Sequence, residues 1–341
     1  MRAAMFYGSH QPLKIENVAD PTPETGQLVV KVAACGLCHT DLHYIDHDTP
    51  TFHPPPLILG HEISGTVAAV GPDVVDFKEG DPVILPAVVP CRTCVMCRSG
   101  RENICENLQM YGNHVNGGYA EYVLAWADHT FHLPHSIPLQ EGAIIADAIT
   151  TPYHAVVHRG RVQAGQSVAV IGCGGIGLNV IQFARAAGAG RIIAVDIEPS
   201  KLEHARELGA TDTINALEVD RVDSEIRFRT RGGVEIAFEC IGRSDTQLTA
   251  MGSVRAGGRV VFVGYNPRPV EISGARVMFR ELEIVGSLGC RQIDYPRVIR
   301  LVEKGIIKLK ELVSHRVPLE KINEGFDLLR EGKALRAIVV P

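Results

Sequence analysis

Cys91, Cys94, Cys97 and Cys105 place four thiols within fifteen positions of loop-like sequence. Four soft ligands on short spacers suit a tetrahedral Zn²⁺. One segment supplies all four, so the shell closes and no position stays open for a substrate. The reading is a structural zinc that staples a loop. An iron–sulfur cluster also takes four cysteines, but in bacterial runs its last spacer is three residues and a proline follows. Here the last spacer is seven residues and Glu106 follows Cys105. The chain holds nine cysteines, an odd and bunched set that does not read as a closed disulfide framework.

A second constellation is scattered: Cys38-His39-Thr40-Asp41-Leu42-His43, then Gly60-His61-Glu62, then Asp147. Each piece alone has a bland explanation. A single histidine such as His43 is most often a surface or satisfied core residue, and Cys35-Gly36-Leu37-Cys38 has the spacing of a redox pair. Together they outline an open Lewis-acid centre built from distant segments.

The third signal is Gly172-Cys173-Gly174-Gly175-Ile176-Gly177, entered from the apolar run Ser167–Ile171 and followed by a helical stretch. The glycines allow a tight turn and let a pyrophosphate approach the helix N-terminus, whose free N–H groups favour anions. Asp196 follows about 20 residues on, at the end of the next strand, where a carboxylate accepts from both hydroxyls of the adenosine ribose. It would repel a 2′-phosphate, and Ile197-Glu198-Pro199 supply no arginine to offset that. The expected cofactor is therefore NAD rather than NADP, with Lys201 flanking the adenine.

These sites need positioning elements. At 341 residues, and about 150 per domain, two domains are expected. Up to residue 149 the chain is Pro-rich with short β-branched runs, Gln27–Val32, Ile63–Val70, Asp81–Leu85 and Tyr119–Leu124, which reads as an irregular, mostly β domain. From 150 to 288 strands and helices alternate. Strands are expected at Ser167–Ile171, Arg191–Val195, Thr211–Ile214, Val234–Glu239, Gly258–Val263 and Leu282–Val285, with helices among them at Gly175–Ala187 and Lys201–Leu208. That is the pattern of a doubly wound parallel sheet, the Rossmann arrangement. Residues 289–341 hold helical segments at Pro296–Lys304 and Leu319–Leu329 and a strand at Ala334–Val340.

The net charge of −5 gives no general attraction to nucleic acid or anionic lipid. No apolar run approaches the roughly 18 residues of a membrane span, and Met1–Gly8 has no signal-peptide core. A cytoplasmic setting is expected, with neither nucleic acid nor membrane as partner.

The chain resembles the zinc-dependent medium-chain dehydrogenases of the alcohol dehydrogenase type from end to end. The family's first block is read in Cys38–His43 and its second in Gly60-His61-Glu62-x-x-Gly65, followed by the lobe cysteines and the glycine fingerprint. The resemblance implies a GroES-like catalytic domain, to which residues 289–341 return, and a Rossmann NAD domain. It implies Cys38 and His61 as catalytic zinc ligands, with Glu62 behind the metal and Asp41 behind His61. Thr40 and His43 resemble the family's proton relay. His39 and Arg336 match pyrophosphate contacts, and Thr151 sits beside the nicotinamide ring. Cys35 is a spectator. Two zinc ions per chain and a homodimer or homotetramer are implied.

One departure stands out. Many alcohol-active relatives have a third ligand cysteine where this chain has Asp147, within Ala146-Asp147-Ala148-Ile149-Thr150-Thr151-Pro152-Tyr153. Aspartate keeps the formal charge and ligates zinc through oxygen. Ala87, where several relatives place a bulky aromatic residue, and the Pro-rich loop His47–Leu57, whose one aromatic is Phe52, point to a roomy apolar pocket. The expected activity is hydride transfer between NAD and an alcohol, bulky, secondary or cyclic, giving the aldehyde or ketone. A polyol or sugar dehydrogenase is the alternative, because a carboxylate in the metal shell is at home there. A non-catalytic NAD- or zinc-binding protein is the reading from another class, against which Thr40 and His43 argue.

Overall fold

The computed structural model describes all 341 residues, which divide into two compact units, Met1–Thr150 with Gly289–Pro341 and Thr151–Leu288. No helix is long and apolar enough to cross a membrane.

In the first unit a seven-stranded mixed sheet runs in the order Phe131–His132, Pro82–Leu85, Glu62–Val70, Gln27–Gly36, Arg336–Val340 and Val313–Pro318, with Tyr122–Trp126 also paired to Gln27–Gly36. Leu28, Val30, Val32, Ile63 and Val67 alternate inward along the two central strands, as half-buried strands require. Their register is what matters for chemistry. Gln27–Gly36 and Glu62–Val70 are antiparallel, with Gly36 opposite Glu62 and Cys35 opposite Ile63. The exit of one strand, leading to Cys38, therefore lies beside the entry of the other, preceded by His61. On the opposite edge Ile338 faces Gly36, which carries Arg336 to the same end. A Cβ at Gly36 would fall 2.1 Å from Glu62 Oε2, so only glycine lets that side chain cross the strand.

Sequence reading found little helical periodicity before residue 149, yet His39–Asp46 is a helix that starts directly after Cys38. Its eight residues are too few to show a clear apolar stripe. The expected helix Leu319–Leu329 is a 3₁₀ turn, Leu319–Lys321, running into a helix Ile322–Arg330. The last strand is confined to Arg336–Val340.

The second unit is a six-stranded, all-parallel sheet in the order Asp212–Asn215, Arg191–Asp196, Ser167–Ile171, Val234–Glu239, Val254–Phe262 and Glu283–Gly286. Strand order reverses between Ser167–Ile171 and Val234–Glu239, the switch point at which such sheets open a crevice for dinucleotides. The central strands are covered on both faces, and Val168, Ala169 and Val170 are fully buried. Helices Gly175–Ala186 and Pro199–Leu208 occupy the expected places. Further crossover helices lie at Val222–Arg229, Ser244–Ser253 and Gly274–Phe279. The fifth strand begins at Val254 rather than Gly258, because an irregularity at Val234/Ile236 lets the pairing start earlier.

Candidate functional site

Cys38 stands at the N-cap of the helix His39–Asp46, and its backbone N–H donates to Asp41 Oδ2 at 3.3 Å. Asp41 thereby reaches back under the ligand loop. Its other oxygen, Oδ1, faces His61 Nδ1 at 3.6 Å, while His61 Nε2 faces Asp147 Oδ2 at 3.7 Å. Cys38 Sγ is 4.0 Å from the same Asp147 oxygen. Ligand atoms of Cys38, His61, Glu62 and Asp147 all lie within 4.8 Å of one another.

These separations are too long for good hydrogen bonds. They approach the roughly 3.3–3.8 Å edges of a tetrahedron built on zinc–ligand bonds of about 2.0–2.3 Å. Both ring nitrogens of His61, Asp41 Oδ1 and Glu62 Oε2 are buried without hydrogen-bond partners. Buried polar atoms are rarely left so. Burial pushes the His61 imidazole down, but Asp41, Cys38 and Asp147 outweigh it and hold the ring well above its ordinary range. The cluster is short of positive charge. Its donor set and geometry fit a zinc ion.

Behind the cluster, Arg336 Nη1 donates to Glu62 Oε1 at 3.0 Å, with both side chains buried. Burial raises the Glu62 carboxyl to about 7, against the lowering effect of Arg336. Sequence reading sent Arg336 to the pyrophosphate and missed this pair, which a separation of 274 residues hides.

The four lobe cysteines converge as well. Sγ–Sγ distances are 3.4 Å for Cys91–Cys105, 3.8 Å for Cys94–Cys105 and 4.0 Å for Cys91–Cys97. Disulfide sulfurs would be about 2.05 Å apart, and all nine cysteines are free. A tetrahedron with zinc–sulfur bonds of about 2.3 Å has edges near 3.8 Å. Backbone N–H groups point at the sulfurs: Cys94 N to Cys91 at 3.4 Å, Cys91 N to Cys105 at 3.3 Å and Asn107 N to Cys105 at 3.3 Å. The Thr93 hydroxyl and backbone, with Cys94 N–H, lower the Cys91 thiol to about 5, so a thiolate ligand is ready at neutral pH.

In the second unit the glycine loop joins Ser167–Ile171 to the helix Gly175–Ala186, with Gly174 at the N-cap and no side chain capping that end. Gly172 has φ +94°, and a Cβ at Gly177 would fall 1.7 Å from Gly172 O. A Cβ at Gly174 would meet nothing within 4 Å. That open side leaves room for a phosphate against the helix end. Asp196, closing its strand, accepts from Cys173 N at 2.7 Å, Ile197 N at 2.8 Å and Glu198 N at 3.0 Å. The carboxylate is thus locked beside the loop. Lys201 and Thr151 belong to this unit, Thr151 buried and Lys201 half-buried on the helix that follows Asp196.

Thr40 and His43 share the helix that Cys38 caps. Thr40 Oγ1 is 3.6 Å from the buried Cys38 Sγ, and Thr40 and His43 are half-buried. Burial, with a contribution from His47, lowers the His43 imidazole below its ordinary value. His39, one position on from the cap, is exposed, and Ala87 is buried. Phe52 is 78 % exposed and stacks on His114 with ring centroids 4.4 Å apart.

Comparison with known proteins agrees with this architecture. Residues 24–135 match the alcohol dehydrogenase GroES-like domain, and residues 175–304 match the zinc-binding dehydrogenase family. An alcohol dehydrogenase of Geobacillus stearothermophilus is 35% identical across 100% of this chain and 99% of its own. A sorbitol dehydrogenase of Bacillus subtilis (strain 168) is 32% identical across 100% and 97%. A crystal structure from Sinorhizobium meliloti 1021 that holds NADP superposes with a TM-score of 0.91 at 32% identity, covering 100% and 99%. The chain belongs to the zinc-dependent medium-chain dehydrogenase family, with a GroES-like unit and a Rossmann unit. It is an oxidoreductase of the alcohol dehydrogenase type, acting on a small-molecule alcohol or carbonyl substrate with zinc and NAD(P) as cofactors.

Proposed function

We propose that the chain oxidises a bulky secondary or cyclic alcohol to the ketone with NAD, using an open zinc site held by Cys38, His61 and Asp147. The observation that carries this reading is the convergence of those three donors around a His61 nitrogen that has no hydrogen-bond partner. A metal held there would supply the Lewis acidity that brings an alcohol's pKa towards neutrality, and a bound dinucleotide would supply the hydride-accepting chemistry. The protein's own groups handle the proton. Thr40 places a hydroxyl beside the ligand set, and His43, neutral at pH 7 because of its partial burial, receives the proton and passes it to solvent. Cys91, Cys94, Cys97 and Cys105 hold the second zinc, which has no part in turnover. Gly172, Gly174, Gly175, Ile176 and Gly177 cradle the pyrophosphate, while Asp196 selects NAD, Lys201 flanks the adenine and Thr151 lies at the nicotinamide.

The small, buried Ala87 supports the bulky-substrate reading. A polyol substrate is the second reading, favoured by the carboxylate in the ligand set and the likeness to a sorbitol dehydrogenase. Initial rates of NAD and NADP reduction across ethanol, branched and cyclic secondary alcohols and polyols separate the two. The expected result is kcat/KM at least about tenfold higher for cyclic than for polyol substrates. A sugar alcohol or ethanol as best substrate would reverse the assignment.

We infer a cytoplasmic homodimer or homotetramer. The strand Glu283–Gly286 ends the parallel sheet, and an uncovered edge invites pairing. A monomer by light scattering at micromolar concentration would refute the assembly.

A further inference from the structure

Tyr119 is fully buried, and nothing in its sequence position marks it for chemistry. Its hydroxyl lies 2.8 Å from Asp41 Oδ2 and 3.0 Å from Gly36 O. The phenol has one proton to give, and the carboxylate is the stronger acceptor. The other Asp41 oxygen has no hydrogen-bond partner and faces His61 Nδ1. Hydroxyl, carboxylate and imidazole therefore form one buried chain that ends at the unpartnered His61 Nε2.

The ring of the same tyrosine acts on the backbone of that ligand. A Cβ at Gly60 would fall 2.8 Å from Tyr119 Cδ1 and Cε1, so the ring lies flush against the residue before His61. Tyr119 N donates to Leu59 O at 3.1 Å, and Gly118 N donates to Gly60 O at 2.9 Å. Phe326 closes the far side, edge-on to the ring at 5.9 Å. The tyrosine thus fixes both the peptide that carries His61 and the carboxylate that orients its ring.

We propose that Tyr119 is a positioning residue for the catalytic metal, its hydroxyl holding Asp41 so that His61 presents Nε2 to the zinc. This rests on the assignment of His61 as a metal ligand. Partners behind a metal-bound histidine fix its orientation, and losing one typically costs about 10–100-fold in metal affinity or activity.

Tyr119→Phe keeps the ring, its seat on Gly60 and its contact with Phe326, and removes only the hydroxyl. The measurement is chelator competition on the zinc-loaded enzyme, beside the d–d spectrum of protein carrying cobalt at the open site. Expected are about tenfold weaker binding of the open-site metal, a shifted cobalt spectrum and unchanged binding by the four-cysteine lobe. In an Asp41→Asn background the same substitution should have little further effect, because the two groups act in series. If Tyr119→Phe binds zinc and cobalt like wild type while His61→Ala loses the open-site metal, Tyr119 is packing alone and the proposal fails. If His61→Ala keeps that metal, the ligand assignment fails and takes the proposal with it. Equal weakening at both zinc sites would mean general destabilisation and would also overturn it.

Discussion

Arg336 Nη1 lies 3.0 Å from Glu62 Oε1, and both side chains are buried. Removing the guanidinium strands a carboxylate away from water. Arg336→Met is therefore expected to destabilise the protein by about 3–5 kcal/mol. Adding Glu62→Gln should restore much of the loss, since no unpaired charge then remains. Urea unfolding of the single and double variants checks this, and an Arg336→Met protein within about 0.5 kcal/mol of wild type would contradict it.

Glu62 also sets a pH dependence in metal-free protein. Its carboxyl is raised from 4.5 to about 7 by burial, so in this interval the native state holds a proton that the unfolded chain has released. Stability contributed by this group is fully present below the unfolded value and is lost as pH rises through the folded one. Glu62→Gln removes the titration. The stability of the variant relative to wild type should rise with pH over that window, measured by thermal unfolding of the chelated proteins. A flat difference would show that Glu62 titrates normally.

Asp147 is where the chain departs from a thiolate-ligated pattern, and its loss leaves Cys38 and His61 as too few ligands for tight binding. Elemental analysis of wild type should give about two zinc per chain. Asp147→Ala should lose one zinc and turnover together. Cys94→Ser should lose the other zinc while the open site keeps its metal. Asp147→Cys should regain zinc with partial activity, as zinc–sulfur bonds are about 0.2–0.3 Å longer than zinc–oxygen bonds. A fully active, two-zinc Asp147→Ala enzyme would hand the ligand role to Glu62 or Cys35.

On the proposed reading Asp196 governs cofactor choice. Its carboxylate is held by three backbone N–H groups beside the glycine loop and repels a 2′-phosphate. Wild type should favour NAD over NADP by at least about tenfold, or ~1.4 kcal/mol, in kcat/KM. Asp196→Ala should narrow that ratio by weakening NAD and admitting NADP. A wild-type preference for NADP would refute the assignment.

The amino-acid sequence by itself carried whatever is local. The lobe cysteines lie within one loop, so their spacing alone specifies four sulfurs that can meet. The glycine fingerprint is local too, because strand, turn and helix are contiguous and steric limits at Gly172 and Gly177 act over a few residues. Alternating apolar segments announced the parallel sheet, since strands covered on both faces must be apolar throughout. Cys38, His61 and Asp147 were nameable only as separate fragments and by resemblance. Tertiary structure decided the rest. Antiparallel register between Gln27–Gly36 and Glu62–Val70 brings Cys38 beside His61, and the returning strand Arg336–Val340 delivers Arg336 to Glu62. Tyr119 reaches Asp41 because its backbone pairs with Leu59, beside the His61 strand entry, a contact that leaves no trace in spacing. Such contacts depend on which strand ends share one edge of the sheet, and hydrophobic periodicity reports which face of a strand is buried but not its neighbour.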